Sequence, residues 1–169
     1  IIFETANSFA FVDPTLVSDQ SANRKDNQYY SEADYCYYLE DYEGAMTAAK
    51  QALKLGSIKA SYLLIELYFD DDSPYKDIEK TISYAKQLFD ATKDPDLAFL
   101  LGNIYDQQLK DYMKALNWYE HAHRLGHKRV AFYLGRFYYY GVLRTKRDGE
   151  KALEYFKEAQ TNGILEAEA

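Results

Sequence analysis

The chain has 169 residues, the size of one domain with a sizeable core. Hydrophobic residues make up 47% and charged residues 28%, as in an ordinary globular protein. The net charge of −7 argues against nonspecific nucleic-acid binding, because such binding depends on neutralising phosphates. The single cysteine, Cys36, excludes an intrachain disulfide and a cysteine-based metal cluster. No apolar run approaches the roughly 18 residues that a membrane span needs.

Residues 1–27 show no sustained hydrophobic period. They contain Pro14, scattered apolar residues and a polar run from Ser18 to Asn27. We therefore expect an irregular N-terminal lead-in, with a short helical turn near Thr15–Gln20.

From Gln28 onward a helical pattern recurs at a fixed interval. Three sets of mostly small residues keep the same spacings of 36, 34 and 37 across four copies. They are Ala45, Thr81, Ala115 and Ala152; Ala52, Leu88, Ala122 and Ala159; and Gly56, Thr92, Gly126 and Gly163. A repeat of about 36 residues built from two helices is typical of an α-solenoid. The predicted helix pairs are 28–39 with 42–55, 58–69 with 78–91, 95–107 with 112–125, and 128–140 with 149–162.

Each repeated position has a physical role. An aspartate stands four residues before the first small residue of every second helix, where its side chain can cap the helix N-terminus. These aspartates are Asp41, Asp77, Asp111 and Asp148. The glycines at 56, 126 and 163 suit the left-handed conformation that ends a helix. Small residues seven positions apart lie on one face, where a neighbouring helix can approach closely.

The two best-formed copies share a motif. The fourth contains Leu134-Gly135-x-x-Tyr138-x-x-Gly141-Val142, then Asp148-x-x-Lys151-Ala152, Tyr155-Phe156, Ala159 and Gly163. The third contains Leu101-Gly102, Tyr105, Asp111-x-x-Lys114-Ala115, Trp118-Tyr119, Ala122 and Gly126. This pattern resembles the Sel1-like repeats, a branch of the tetratricopeptide-type helical repeats. The resemblance implies an all-α fold, a right-handed α-solenoid of about four helix pairs over residues 28–169. Its copies would lie at about 28–57, 58–93, 94–127 and 128–163, with the start of a fifth at 164–169.

The resemblance also implies a non-enzymatic scaffold that binds a protein or peptide on the concave face, which the first helices line. Three columns counted from the Leu-Gly anchor would lie on that face, together with Tyr140 of the fourth copy. The columns are Tyr30, Tyr62, Phe99 and Phe132; Asp34, Glu66, Asn103 and Arg136; and Tyr37, Phe69, Asp106 and Tyr139. The alternative for the aromatic column is packing between helices.

Charge is distributed unevenly along the chain. Six acids and no base lie between Asp26 and Met46, whereas eight bases and two acids lie between His121 and Lys151. The acidic and basic ends could steer a dipolar partner toward the chain. They could also favour end-to-end self-association, which is the second functional hypothesis and would give a homo-oligomer through the repeat ends. Ordinary solvated surface is the alternative.

Two clusters suggest metal ligands, but neither has the required spacing. In His121-x-His123-x-x-x-His127 the first two histidines point to different sides of a helix, and Gly126 should end that helix. Asp70-Asp71-Asp72 lacks the glycine and distal glutamate of a calcium loop. No catalytic motif is present, so we expect no metal, no cofactor and no enzymatic activity. The third functional hypothesis is an enzyme whose site is hidden in irregular positions of the chain.

The chain begins at Ile1 rather than at a methionine, so we expect a processed product or an excised part of a longer protein. The resemblance implies a bacterial periplasmic or secreted protein, with a cytoplasmic location as the alternative. The expected partner is a protein or peptide, with neither nucleic acid nor membrane insertion involved.

Overall fold

The computed structural model describes residues 20–141 and 147–164, and the side chains from residue 24 onward. Within these residues it is all-α, with eight α-helices, one π-helical turn and no strand. The helices are α1 (Gln20–Tyr38), α2 (Tyr42–Lys54), α3 (Ile58–Phe69), α4 (Ile78–Thr92), α5 (Pro95–Asn103), α6 (Tyr112–Arg124), α7 (Val130–Tyr140) and α8 (Gly149–Thr161). The π turn, Ile104–Gln108, continues directly from α5. The predicted all-α helical repeat is therefore confirmed.

The chain forms two compact units, Ile1–Asp77 and Ile78–Ala169. In unit 1, α1 packs mainly against α2, and α3 contacts both. In unit 2, α5 packs against α6, and α7 packs against α8. Smaller contacts join α4 to α5 and α6 to α7. The expected lead-in before residue 20, most of the basic loop Arg144–Arg147 and nearly all of the expected fifth repeat lie outside the described residues.

Helix α1 begins at Gln20, earlier than the predicted start at Gln28. The segment 20–27 is polar and has no apolar period, so sequence pattern alone predicted no helix there. Once the apolar turns of α1 are packed, each residue added at its N-terminus gains a backbone hydrogen bond without a new nucleation cost. The polar segment therefore extends the helix.

The predicted caps begin three of the second helices. The carboxylate of Asp41 accepts a hydrogen bond from the Gly44 backbone N–H at 3.0 Å. Asp148 accepts one from the Lys151 N–H at 3.0 Å, and Asp111 caps α6 in the same way. These bonds satisfy amides that have no partner inside the helix.

The helix ends also follow the predicted pattern. Gly56, Gly126 and Gly163 have φ values of 87°, 85° and 74°, in the left-handed region that favours glycine. In the second copy, where Thr92 replaces the glycine, the next residue, Lys93, takes a left-handed conformation with φ of 53°. Glu40 and Lys110 do the same after α1 and after the π turn, with φ of 60° and 53°.

The small-residue columns allow close helix packing in each unit. Ala45, Ala49 and Ala52 of α2 are fully buried in unit 1. In unit 2 the largest fully buried side chain is Tyr119 of α6, and several aliphatic residues are fully buried as well. These include Leu101, Ile104, Val130 and Leu134.

Candidate functional site

The candidate residues lie on four segments of the fold: α1 and α3 in unit 1, and α5 with its π turn and α7 in unit 2. Their exposure differs widely. Asp34, Glu66, Arg136, Tyr139 and Tyr140 are exposed, whereas Asp106 is buried. The others are half-buried: Tyr30, Tyr37, Tyr62, Phe69, Phe99, Asn103 and Phe132.

In unit 1, three candidate side chains and one lysine lie on α1 and α3, two helices that contact each other. The Lys59 ammonium lies 5.6 Å from the centroid of the Tyr30 ring. Burial raises the pKa of Tyr30, and the negative charges of Asp34 and Glu66 raise it further. We call Tyr30, Asp34, Lys59 and Glu66 the α1–α3 surface. Lys59 was not predicted, because it lies one helical turn before the aromatic column.

The carboxyl group of Glu66 on the α1–α3 surface has a raised pKa. Glu66 is exposed as a whole residue, but partial burial of its carboxyl group raises the pKa of that group. The negative charge of Asp34 raises the pKa of Glu66 further. Burial is the larger of these two causes, and the charge of Asp34 is the smaller.

Tyr37 is held by hydrogen bonds within unit 1. Its hydroxyl donates a hydrogen bond to the Asp70 carboxylate at 3.1 Å, and the Tyr42 hydroxyl donates one to the same oxygen at 3.4 Å. Burial, followed by the bond to Asp70, raises the pKa of Tyr37 to about 12. These bonds join the ends of α1 and α3 and the start of α2. Tyr37 thus has a structural role within unit 1.

In unit 2, Phe99 is the centre of an aromatic cluster. The His127 ring is stacked on it, with centroids 4.2 Å apart and planes 20° apart. The Tyr133 ring meets Phe99 edge-on at 5.0 Å, and Tyr119 lies 6.0 Å away. Phe99 therefore packs between helices. This is the alternative to partner contact that the sequence analysis gave for the aromatic column. Tyr133 was missed because it immediately follows Phe132, the residue that the column selected.

Phe132 also contacts its neighbours. Its ring lies 5.7 Å from that of Tyr133 and 6.1 Å from that of Phe156, centroid to centroid. It is nevertheless only half-buried, so part of the ring reaches the surface.

Asn103 and Asp106 bind the hydroxyl of Tyr119. That hydroxyl lies 2.8 Å from Oδ1 of Asn103 and 3.5 Å from Oδ2 of Asp106. The Gln107 side-chain amide also donates to Asp106. Asp106, with 8% of its surface exposed, is turned inward by the π turn instead of facing solvent. Burial raises the pKa of Tyr119, and the charge of Asp106 raises it further.

The most open candidates are Arg136, Tyr139 and Tyr140, which we call the α7 surface. Spacings of three and four residues place both tyrosines on the helix face that carries Arg136. Tyr139 and Tyr140 are 57% and 60% exposed, and their rings meet edge-on with centroids 5.1 Å apart.

The three histidines have separate environments. His121 lies against Trp118 and Phe89, and His123 contacts the Glu158 carboxylate at 2.9 Å. His127 stacks on Phe99, as described. Within residues 20–141 and 147–164, no three His, Cys, Asp or Glu side chains are grouped so as to hold a metal ion.

The aspartates of the 70–72 loop are held within unit 1. Asp70 accepts from two tyrosines and from the Asp72 backbone N–H, while Asp71 pairs with Lys76. No helix among the described residues combines the length and apolarity needed to cross a membrane.

A shallow groove lies between α1 and α2 on unit 1. It encloses about 250 Å³ and is lined by Tyr29, Glu32, Glu43, Gly44, Thr47, Ala48 and Gln51. This volume falls below the range of about 300–1,000 Å³ typical of small-molecule sites.

Comparison with solved structures identifies the fold. A Sel1 repeat protein from Oxalobacter formigenes superposes with a TM-score of 0.65 and 23% identity, over 90% of this chain and 62% of that one. The protective antigen c5321 of uropathogenic Escherichia coli, which displays an SLR fold, gives a TM-score of 0.57 and 20% identity, over 85% of this chain and 30% of that one. The chain thus has the Sel1-like repeat fold, as the sequence motif predicted.

One curated protein is also similar. It is the ERAD-associated E3 ubiquitin-protein ligase component HRD3 of Candida glabrata, 35% identical over 99 residues. The match covers 56% of this chain but 12% of that protein. No profile of a known protein family matches the chain.

Proposed function

We propose that the chain is a non-enzymatic interaction module that binds a protein or peptide through exposed residues of its first helices. The α7 surface is the observation that carries this proposal. It presents two tyrosines, each more than half exposed, beside an arginine on one helix face. Tyrosine and arginine are among the residue types enriched at the positions that carry most of the binding energy of protein interfaces.

The packing around α7 supports the same proposal. Gly135 lies against Phe156 of α8, and Leu134 is fully buried, so the helix is held firmly from its inner side. A rigid helix presents its outer side chains in fixed positions, which lowers the entropy lost on binding. The relative HRD3 is named as a component of a ligase, and a role within an assembly fits a module of this kind.

Selection from a phage-displayed random peptide library on the immobilised chain tests the proposal. We expect peptides to be enriched on the wild-type chain and to lose binding to a variant carrying Arg136→Ala and Tyr139→Ala. The matched control is Leu153→Ala with Lys157→Ala, which removes one large apolar and one basic side chain from exposed positions of α8. This control should retain binding.

Circular dichroism should show that both double variants remain as helical as the wild type. Absence of enrichment on the wild-type chain, or equal binding to the Arg136/Tyr139 variant, would reject the proposed function.

A further inference from the structure

The helix face that carries the α7 surface continues back to the residue before α7. Arg129 has a right-handed helical backbone, with φ of −76° and ψ of −21°, so the helical spacing extends to it. Steps of three and four residues then place two arginines and four aromatic residues on this face. They are Arg129, Phe132, Tyr133, Arg136, Tyr139 and Tyr140. Helix α7 itself contains no acidic residue.

Both arginines of this face are exposed and lack an acidic partner. Among the described residues, neither Arg129 nor Arg136 forms an ion pair. An exposed lysine elsewhere in unit 2 does form one, Lys114 with Asp111. The two guanidinium groups are therefore available to the carboxylates of a partner.

The aromatic residues give the same face an apolar component. Tyr139 and Tyr140, each more than half exposed, lie at the end of α7. Phe132 and Tyr133 are half-buried, and their rings meet edge-on with centroids 5.7 Å apart. Exposed rings of this kind can cover apolar side chains of a partner.

Charge complementarity selects the class of partner. A guanidinium group binds a carboxylate through two parallel N–H···O bonds. A single nucleic-acid strand also offers negative charge, together with bases that stack on aromatic rings. The net charge of −7 opposes so dense a polyanion. A peptide in which acidic and apolar side chains are interspersed matches two arginines with aromatic residues between and beside them.

We propose that this face of α7 binds an acidic segment of a partner protein. Carboxylates of the segment accept hydrogen bonds from Arg129 and Arg136, and its apolar side chains pack on Tyr139 and Tyr140. The inference rests on the proposed function, because it concerns the partner of the α7 surface. It adds the chemical class of that partner and extends the contact to Arg129.

Fluorescence polarisation with two labelled peptides tests the inference. The first peptide repeats Ala-Glu-Leu-Glu; the second replaces each glutamate with glutamine, which has nearly the same shape but no charge. We expect the glutamate peptide to bind the wild-type chain at least about tenfold more tightly, as charge-assisted hydrogen bonds to two guanidinium groups imply. The variant Arg129→Gln with Arg136→Gln should bind both peptides equally.

The control for overall charge is Lys50→Gln with Lys157→Gln. It makes the same charge change at exposed positions of α2 and α8 and should keep the preference for glutamate. All four substitutions affect exposed side chains, so circular dichroism should show unchanged helicity in both double variants.

Three results would overturn the inference. The first is that the wild type shows no preference for the glutamate peptide, including the case in which it binds neither peptide. The second is equal loss of preference in both double variants. The third is tighter binding of a labelled single-stranded thymidine oligonucleotide, which would assign the face to nucleic acid. Library enrichment of peptides without acidic residues, lost on substitution of Arg136 and Tyr139, would reject the inference alone, so its failure and that of the proposed function are distinguishable.

Discussion

The Tyr119 side chain lies against the α-carbon of Gly102, in the space that a Cβ atom at residue 102 would occupy. The same relationship recurs in the next pair, where a Cβ on Gly135 would lie 2.6 Å from Cε1 of Phe156. The glycine of the Leu-Gly motif is therefore explained by the aromatic residue of the following helix. The motif glycine and the aromatic residue of the next helix therefore pack directly against each other.

The substitution Gly102→Ala should lower the free energy of unfolding by about 1–3 kcal/mol, because Tyr119 is fully buried and has no room to move away. Urea denaturation measures this change. Gly149→Ala is the matched control: a Cβ there meets nothing within 4 Å, and alanine favours the helix by up to about 1 kcal/mol. A stabilising Gly102→Ala would contradict the packing described.

The substitution Tyr119→Phe should also destabilise unit 2, by about 1–3 kcal/mol. It keeps the ring but removes the hydroxyl that donates to Asn103 and Asp106, leaving a buried carboxylate with fewer partners. Thermal or urea unfolding measures the loss. The variant Tyr119→Phe with Asp106→Leu should recover part of it, since no charge then remains to be satisfied; a further additive loss would argue against the coupling.

The cap of α8 gives a third prediction. Asp148→Ala should cost about 1 kcal/mol, because the Lys151 amide loses its acceptor. Asp148→Asn retains a side-chain oxygen and should stay within a few tenths of a kcal/mol of the wild type. The two free energies of unfolding, measured side by side, separate capping from other effects. Equal losses in both variants would show that the negative charge, rather than the hydrogen bond, is what matters.

A fourth prediction concerns His127 and pH. Burial lowers the pKa of His127 and Arg129 acts in the same direction, while Asp96 and Asp94 oppose them. The folded pKa lies below the unfolded value of about 6.5, so the neutral imidazole is favoured by folding. This contribution to stability is complete above the unfolded pKa and is lost as the pH falls through the folded pKa.

Urea denaturation at neutral and mildly acidic pH should therefore show that His127→Gln weakens the loss of stability on acidification. His121, whose pKa is also lowered by burial, should account for part of the remainder, as a His121→Gln variant would show. An identical pH dependence in wild type and His127→Gln would refute the assignment.

The ends of the second helices were predictable because the chemistry that sets them is local. The aspartate at the N-cap bonds an amide three residues away, and glycine permits the left-handed backbone at the other end. Each feature needs only a few neighbouring residues. Asp148 and Gly163 in the fourth copy illustrate both.

The inward turn of Asp106 was not predictable in this way. Counting along a regular α-helix places Asp106 in one column with Tyr139, yet Asp106 is 8% exposed and Tyr139 is 57% exposed. The difference arises from the π turn Ile104–Gln108, where the Leu109 N–H bonds back to Ile104 at 3.1 Å. Such a turn leaves no periodic signal in the sequence.

For the candidate surfaces, the repeat register located the residues but not their environments. It placed Tyr30, Asp34 and Glu66 on first helices, and the charges of the two acids raise the pKa of Tyr30 in addition to its burial. Glu66 and Asn103 occupy the same column, but the register could not predict their different environments. The charge of Asp34 acts on Glu66, whereas Asn103 accepts a hydrogen bond from Tyr119. That distinction depends on the rotation of each helix against its neighbours.

Three residues after helical segments, Glu40, Lys93 and Lys110, adopt a left-handed backbone although none is glycine. A side chain in this conformation carries strain that glycine avoids. For protein engineering, glycine at any of these three turns should raise the melting temperature because it removes this strain, and none of the three residues belongs to a candidate surface.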